Sequence, residues 1–131
     1  MAIKVKKVTI TTAEVLLLAT TPKQLLAAPA SGYVNNILSV TIQLDFNSVG
    51  YVSGGALNVY AFAVFHGSNN FFTDNNVIIS FVQDILRPMN RTGSSIGTTQ
   101  EATYLSCAAD PTTGDSDLIA YIVYETKLIE V

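Results

Sequence analysis

Residues with the chemistry for catalysis are few in this chain. Among 131 residues there is one histidine, His66, and one cysteine, Cys107. A general base needs a partner within reach, and proton-transfer sites often pair histidine with a carboxylate. His66 instead opens the run His66-Gly67-Ser68-Asn69-Asn70, whose composition is that of a turn. Cys107 lies in the strand-like run Tyr104-Leu105-Ser106-Cys107-Ala108-Ala109, where a small buried hydrophobe is expected rather than a reactive thiol. A lone cysteine forms no intrachain disulfide, and one histidine with one cysteine shows no zinc-ligand spacing.

Carboxylates offer more. Asp110, Asp115 and Asp117 share one loop with Gly114 between them. Hard oxygen ligands on a turn suit calcium. The spacing of an EF-hand is absent, however, and no glutamate follows at the required offset. Aspartates in turns usually hydrogen-bond to nearby backbone. The expectation is therefore turn chemistry and no metal, with these three as the weak candidates. Asp74, followed by Asn75 and Asn76, is weaker still.

Aromatic residues beside turns are the other chemical resource. Tyr33, Tyr51, Tyr60, Phe71 and Phe72 could form a carbohydrate platform, but tyrosine and phenylalanine are also enriched at protein interfaces. The interface reading is preferred, with sugar or receptor binding as the alternative. The triplet Asn90-Arg91-Thr92 matches a glycosylation acceptor and reads as a chance match.

The elements that must position these residues are strands. From Leu38 to Phe46 apolar and polar residues alternate strictly, the pattern of a strand with one face in a core. Its outward row, Ser39, Thr41, Gln43 and Asp45, is mostly short and uncharged. Further strands are expected over 5–10, 23–28, 36–47, 57–65, 77–86, 101–109 and 117–130. Thr11 and Thr12, ahead of Ala13-Glu14-Val15-Leu16-Leu17-Leu18, signal a helix N-cap and one or two helical turns, ended by Pro22. Residues 90–99, rich in Gly, Ser and Thr, read as a surface loop. The apolar run Leu118–Tyr124 is expected to be covered on both faces, and so is Leu57–Phe65. The fold class that follows is all-β: a single antiparallel β-sandwich or jelly roll with one short N-terminal helix, one domain over residues 1–131.

Bulk composition narrows the partners. Only 13% of residues are charged against 49% hydrophobic, with a net charge of -3. Nothing favours nucleic acid, and Lys4, Lys6 and Lys7 read as a solvated N-terminal edge. No apolar run reaches the length of a membrane span or a signal-peptide core, so a chain made in the cytosol is expected. A mean hydropathy of +0.37 would leave a lone domain with a sizeable apolar exposure, which usually marks a contact site. The expected contact residues are Leu57, Val59, Tyr60, Phe62, Tyr51, Phe71 and Phe72.

One stretch carries a resemblance. Thr11-Thr12-Ala13-Glu14-Val15-Leu16-Leu17-Leu18-Ala19-Thr20-Thr21-Pro22 leads into Leu25-Leu26-Ala27-Ala28-Pro29-Ala30-Ser31-Gly32. After the alternating strand come Asp45-Phe46-Asn47-Ser48-Val49-Gly50-Tyr51 and Gly54-Gly55-Ala56-Leu57. This pattern, over residues 8–65, resembles small tailed-bacteriophage virion proteins. The resemblance implies a β-sandwich that forms homo-oligomers, trimers by expectation, on the capsid as decoration or head fibre, or on the tail. It implies other virion proteins as partners and a virion location after synthesis in the bacterial host cytoplasm. Its motifs are structural and carry no catalytic residue or cofactor. The expected function is thus a non-enzymatic virion structural protein.

Overall fold

The computed structural model describes residues 3–61, 70–74, 78–91, 98–99 and 102–128. They form an antiparallel β-sandwich. The first sheet has the order β1 (Lys4–Ile10), β10 (Asp117–Leu128), β3 (Tyr33–Asp45), β6 (Ile85–Pro88), with β8 (Thr98–Thr99) also pairing with β3. The second has the order β2 (Lys23–Leu26), β9 (Thr103–Cys107), β4 (Leu57–Ala61), β5 (Asn70–Thr73), β7 (Asn90–Arg91).

The core lies between the sheets and follows the side-chain alternation. Val40, Ile42 and Leu44 of β3 and Leu118, Ala120 and Ile122 of β10 are buried, facing Leu57, Val59, Leu105 and Cys107 of the second sheet. Each fully buried Leu, Ile or Val contributes about 1.5–3 kcal/mol of transfer free energy.

One register shift changes the reading of the longest strand. Ser39 pairs with Val123 but Ile37 pairs with Tyr124, so β3 carries one residue more than β10. Such a bulge reverses which residues face inward. Ile37 is fully buried while Leu38, inward by strict alternation, is 36% exposed.

Helix α1 (Thr12–Val15) begins where the sequence signals it. Thr11 is the N-cap of a capping box, its hydroxyl accepting from the Glu14 N–H while the Glu14 carboxylate accepts from the Thr11 N–H. Only one turn forms, and Glu14 then pairs with Lys23 at the start of β2.

Two expectations need correction. Of the strand expected over 77–86, the described residues 78–84 are not strand: Ile78–Ser80 is a 3-10 turn, and β6 starts only at Ile85. The Asp74 carboxylate accepts from the Ile78 N–H at 2.7 Å, which starts the turn, and Ile78 and Ile79 are buried as a plug. Within the single chain the run Leu118–Tyr124 is covered on its inner face, and Ile119, Tyr121 and Val123 are half-exposed on the outer side, the face whose cover was expected from a second copy. Residues 90–99 begin and end in paired strands, β7 and β8. The expected strand over 57–65 is β4 as far as Ala61, and the remainder lies outside the described residues.

Candidate assembly surfaces

The loop aspartates come together in sequence but not in chemistry. Each pins a different segment. Asp110 accepts from the Ala19 N–H at 2.8 Å, the Thr20 N–H at 2.9 Å and the Thr20 hydroxyl. Asp115 accepts from the Ser48 N–H at 3.0 Å, the Val49 N–H at 2.8 Å, the Asn47 amide at 3.0 Å and the Ser48 hydroxyl. Asp117 accepts from the Thr12 N–H at 2.9 Å and the Thr12 hydroxyl at 3.2 Å, at the head of α1.

These bonds shift the carboxyls in the expected direction. The Ser48 hydroxyl, then the Val49 and Ser48 N–H groups, hold Asp115 down at about 2. The Thr20 hydroxyl, then the Thr20 and Ala19 N–H groups, hold Asp110 below its ordinary value. The acceptor oxygens of the three weak calcium candidates thus serve backbone and side-chain donors on three separate segments. Among the described residues no cluster of His, Cys, Asp or Glu is arranged to hold a metal ion.

Above these pins the loop 46–56 is stitched to 109–116 by backbone bonds, Ala109 N–H to Gly54, Thr112 N–H to Val52 and Asp115 N–H to Val49. Tyr51 plugs the space beneath. Its hydroxyl donates to the Ser116 carbonyl, its ring is 3% exposed, and burial raises its pKa.

This burial corrects the expected interface. Leu57 and Val59 are fully buried, and Phe72 and Tyr51 are nearly so, all within the core. They face the opposite sheet or the loop plug, and their side chains are not at the surface. Phe62 lies outside the described residues, as does His66, and Phe71 takes a place on β5. Of the expected contact residues whose side chains are described, Tyr60 alone is not in the core. It stacks on Tyr104, its partner across β4 and β9, with centroids 6.2 Å apart and 30° between planes. Gln24 accepts from the Tyr104 hydroxyl at 3.3 Å, and Asn58 and Ser106 form the next cross-strand pair on this face. Sequence reasoning missed Tyr104; its alternation with buried Thr103 and Leu105 is the signal that would have found it.

Cys107 is buried, and burial pushes its thiol up to about 11, so it is unsuited to nucleophilic work at neutral pH. One further motif escapes the sequence reading. Gly93-Ser94-Ser95-Ile96-Gly97 has the spacing of a nucleophile elbow. This pentapeptide lies between β7 and β8 in sequence and outside the described residues.

The outer face of the first sheet runs across β1, β10, β3 and β6. Cross-strand register places Val5, Val123 and Ser39 in one row, Lys7, Tyr121, Thr41 and Pro88 in the next, and Thr9, Ile119, Gln43 and Leu86 in a third. Lys7 is the one charge in those rows. Tyr121 donates to Gln43 at 2.9 Å, satisfying two polar groups within the face. Charges close it at both ends, Asp45 and Asp117 at one, Glu125 with Lys127 at the other. The row Ser39, Thr41 and Gln43 is half-buried by these neighbours of its own chain.

No family model matches the sequence, and no curated protein matches it. Among solved structures, the chain is similar to a chain of the cyanophage Pam1 capsid asymmetric unit. The TM-score is 0.52 over 94% of this chain and 82% of that one, at 17% sequence identity. A likeness at that identity is one of fold, and it matches the two-sheet antiparallel architecture described above.

Proposed function

We propose that this chain is a non-enzymatic structural protein of a bacteriophage virion, assembling with copies of itself and with other virion proteins. The observation that carries the reading is the outer face of the first sheet: three neutral rows, rich in Val, Ile, Tyr, Leu and Thr, with Lys7 as their one charge. A neutral, half-apolar sheet face of this breadth suits burial against protein. The fold likeness to a capsid chain supports the virion setting. Capsid decoration, head fibre and tail attachment are all placements this architecture serves, and a homotrimer is the assembly we favour.

Light scattering on the purified chain at micromolar concentration tests the assembly. A stable oligomer is expected, and Ile119→Glu with Thr41→Glu should dissociate it without changing the circular dichroism spectrum. A clean monomer would count against the reading, as would an oligomer indifferent to both substitutions. Mass spectrometry of purified particles tests the location.

A second reading, glycan binding, is favoured by the stacked Tyr60–Tyr104 pair on the other sheet, beside the amides of Gln24 and Asn58. It predicts glycan-array hits that vanish in Tyr60→Ala. Substituting the buried Tyr51 or Phe72 would report on folding instead.

A further inference from the structure

Among the described residues, strand edges end both sheets: β1 opposite β6 and β8 in the first, β2 and β7 in the second. An open edge recruits foreign strands unless it is blunted. β6 is four residues long and ends in Pro88, which lacks an N–H. β7 and β8 are described over two residues each, Asn90–Arg91 and Thr98–Thr99. β2 has four, and its register shifts between Gln24 and Leu26. Proline and the register shift blunt β6 and β2 against an incoming strand.

β1 is different. It runs seven residues in unbroken register, from Lys4 opposite Tyr124 to Ile10 opposite Leu118, without proline or bulge. Its guard is charge alone, in the exposed Lys4, Lys6 and Lys7. Beside them Ile3 and Val5 are 63% and 67% exposed, so the edge also offers apolar surface. A guard made of charge is selective. Lysines repel a basic strand, and they repel a second β1, which would set lysines against lysines across the new pair. An acidic strand is attracted.

We propose that β1 is an acceptor edge for an extended, acidic segment of another protein, which joins the first sheet by main-chain hydrogen bonds and is selected by Lys4, Lys6 and Lys7. Lys4 and Lys6 fall on one face of the strand, and Val5 and Lys7 on the other. The fitting segment therefore alternates carboxylates with apolar residues. Val5 continues the neutral outer face through its partner Val123. The inference does not rest on the virion reading, since it concerns the edge of the isolated chain.

The test uses the full chain, isotope-labelled, with two synthetic hexapeptides, one alternating Glu and Val and one alternating Lys and Val. Amide hydrogen exchange is read residue by residue. The acidic peptide should slow exchange at the outward amides of residues 4–10 by about tenfold or more, whereas the basic one should not. The effect should weaken between about 0.05 M and about 0.5 M salt. In Lys4→Glu/Lys6→Glu/Lys7→Glu, whose changes are all on exposed side chains, the preference should invert to the basic peptide. Equal response to both peptides overturns the proposal, as does protection that maps elsewhere or a triple variant that still prefers the acidic peptide. A short DNA duplex that binds this edge as well as the acidic peptide does would reassign the lysines to phosphate contact and overturn it too.

Discussion

Gly114 provides the sharpest test of how the loop end is built. It sits at φ +123°, and a Cβ placed there would lie 2.3 Å from Cδ1 and 2.6 Å from Cε1 of Tyr51. That ring cannot swing away, because it is buried and its hydroxyl is held by the Ser116 carbonyl. Gly114→Ala therefore incurs two separate costs. Holding an L-residue at that φ costs about 1–3 kcal/mol. Forcing a methyl into the packed ring costs about 1–3 kcal/mol more. The sum, about 4 kcal/mol, is a large part of the ~5–15 kcal/mol that holds a domain together. It should lower the melting temperature by roughly 10–20 °C in a chain of this size.

Gly32 is the internal control. It also has positive φ, +88°, but a Cβ there meets nothing within 4 Å. Gly32→Ala should thus show the backbone cost alone. A double-mutant cycle isolates the packing cost: in a Tyr51→Ala background, Gly114→Ala should lose its clash and retain only the backbone part. The predicted coupling is about 1–3 kcal/mol. Urea unfolding, followed by circular dichroism and by tyrosine fluorescence, supplies the free energies. A cycle that is additive within about 0.5 kcal/mol would refute the claim that Tyr51 and Gly114 compete for the same space.

Two further predictions concern the same frame. The Asp115 carboxyl is held near 2 in the folded chain against an ordinary 3.8, so its contribution is fully present above about pH 4 and fades as pH falls toward 2. Asp115→Asn should flatten the acid limb of a stability profile in that window, and an unchanged limb would show that its bonds do not matter to folding. The bulge in β3 predicts opposite outcomes for neighbouring residues: Ile37→Ala should cost about 2–5 kcal/mol, whereas Leu38→Ser should stay within about 0.5 kcal/mol. Equal losses would mean that Leu38 faces the core.

How much of this was legible depends on the distance over which each feature is decided. The strand β3 was readable because alternation is written into adjacent residues, as in Val40-Thr41-Ile42-Gln43-Leu44, and β10 because Leu118–Tyr124 is an unbroken apolar run. The helix start was readable because Thr11 and Glu14 are three residues apart. The bulge was not, since nothing in Ile37-Leu38-Ser39 marks an extra residue; the register is set by β10, some eighty positions later. The apolar run Val77-Ile78-Ile79 fits a strand or a buried turn equally well, and the cap from Asp74 decided it. The aspartates were visible as a group, but their donors, on residues 12, 19–20 and 47–49, were not. Tyr51 and Phe72 looked like surface aromatics because they flank turns, and only the closing of the loops over them made them core.

The aspartates also bear on how the chain meets its neighbours. With three carboxylates committed to internal pins at one end, much of the acidic excess is removed from the broad sheet faces. The outer face of the first sheet is left almost neutral, whereas β1 keeps an exposed basic edge. Contacts made by the two should respond to salt in opposite ways. Apolar burial on the neutral face is unaffected or strengthened as salt rises, particularly by sulfate, whereas attraction of an acidic strand to three exposed lysines is screened. Light scattering and peptide titration across one salt series would separate them. If both contacts weakened together, the neutral face would not be the surface through which the chain associates, and the edge would carry the assembly.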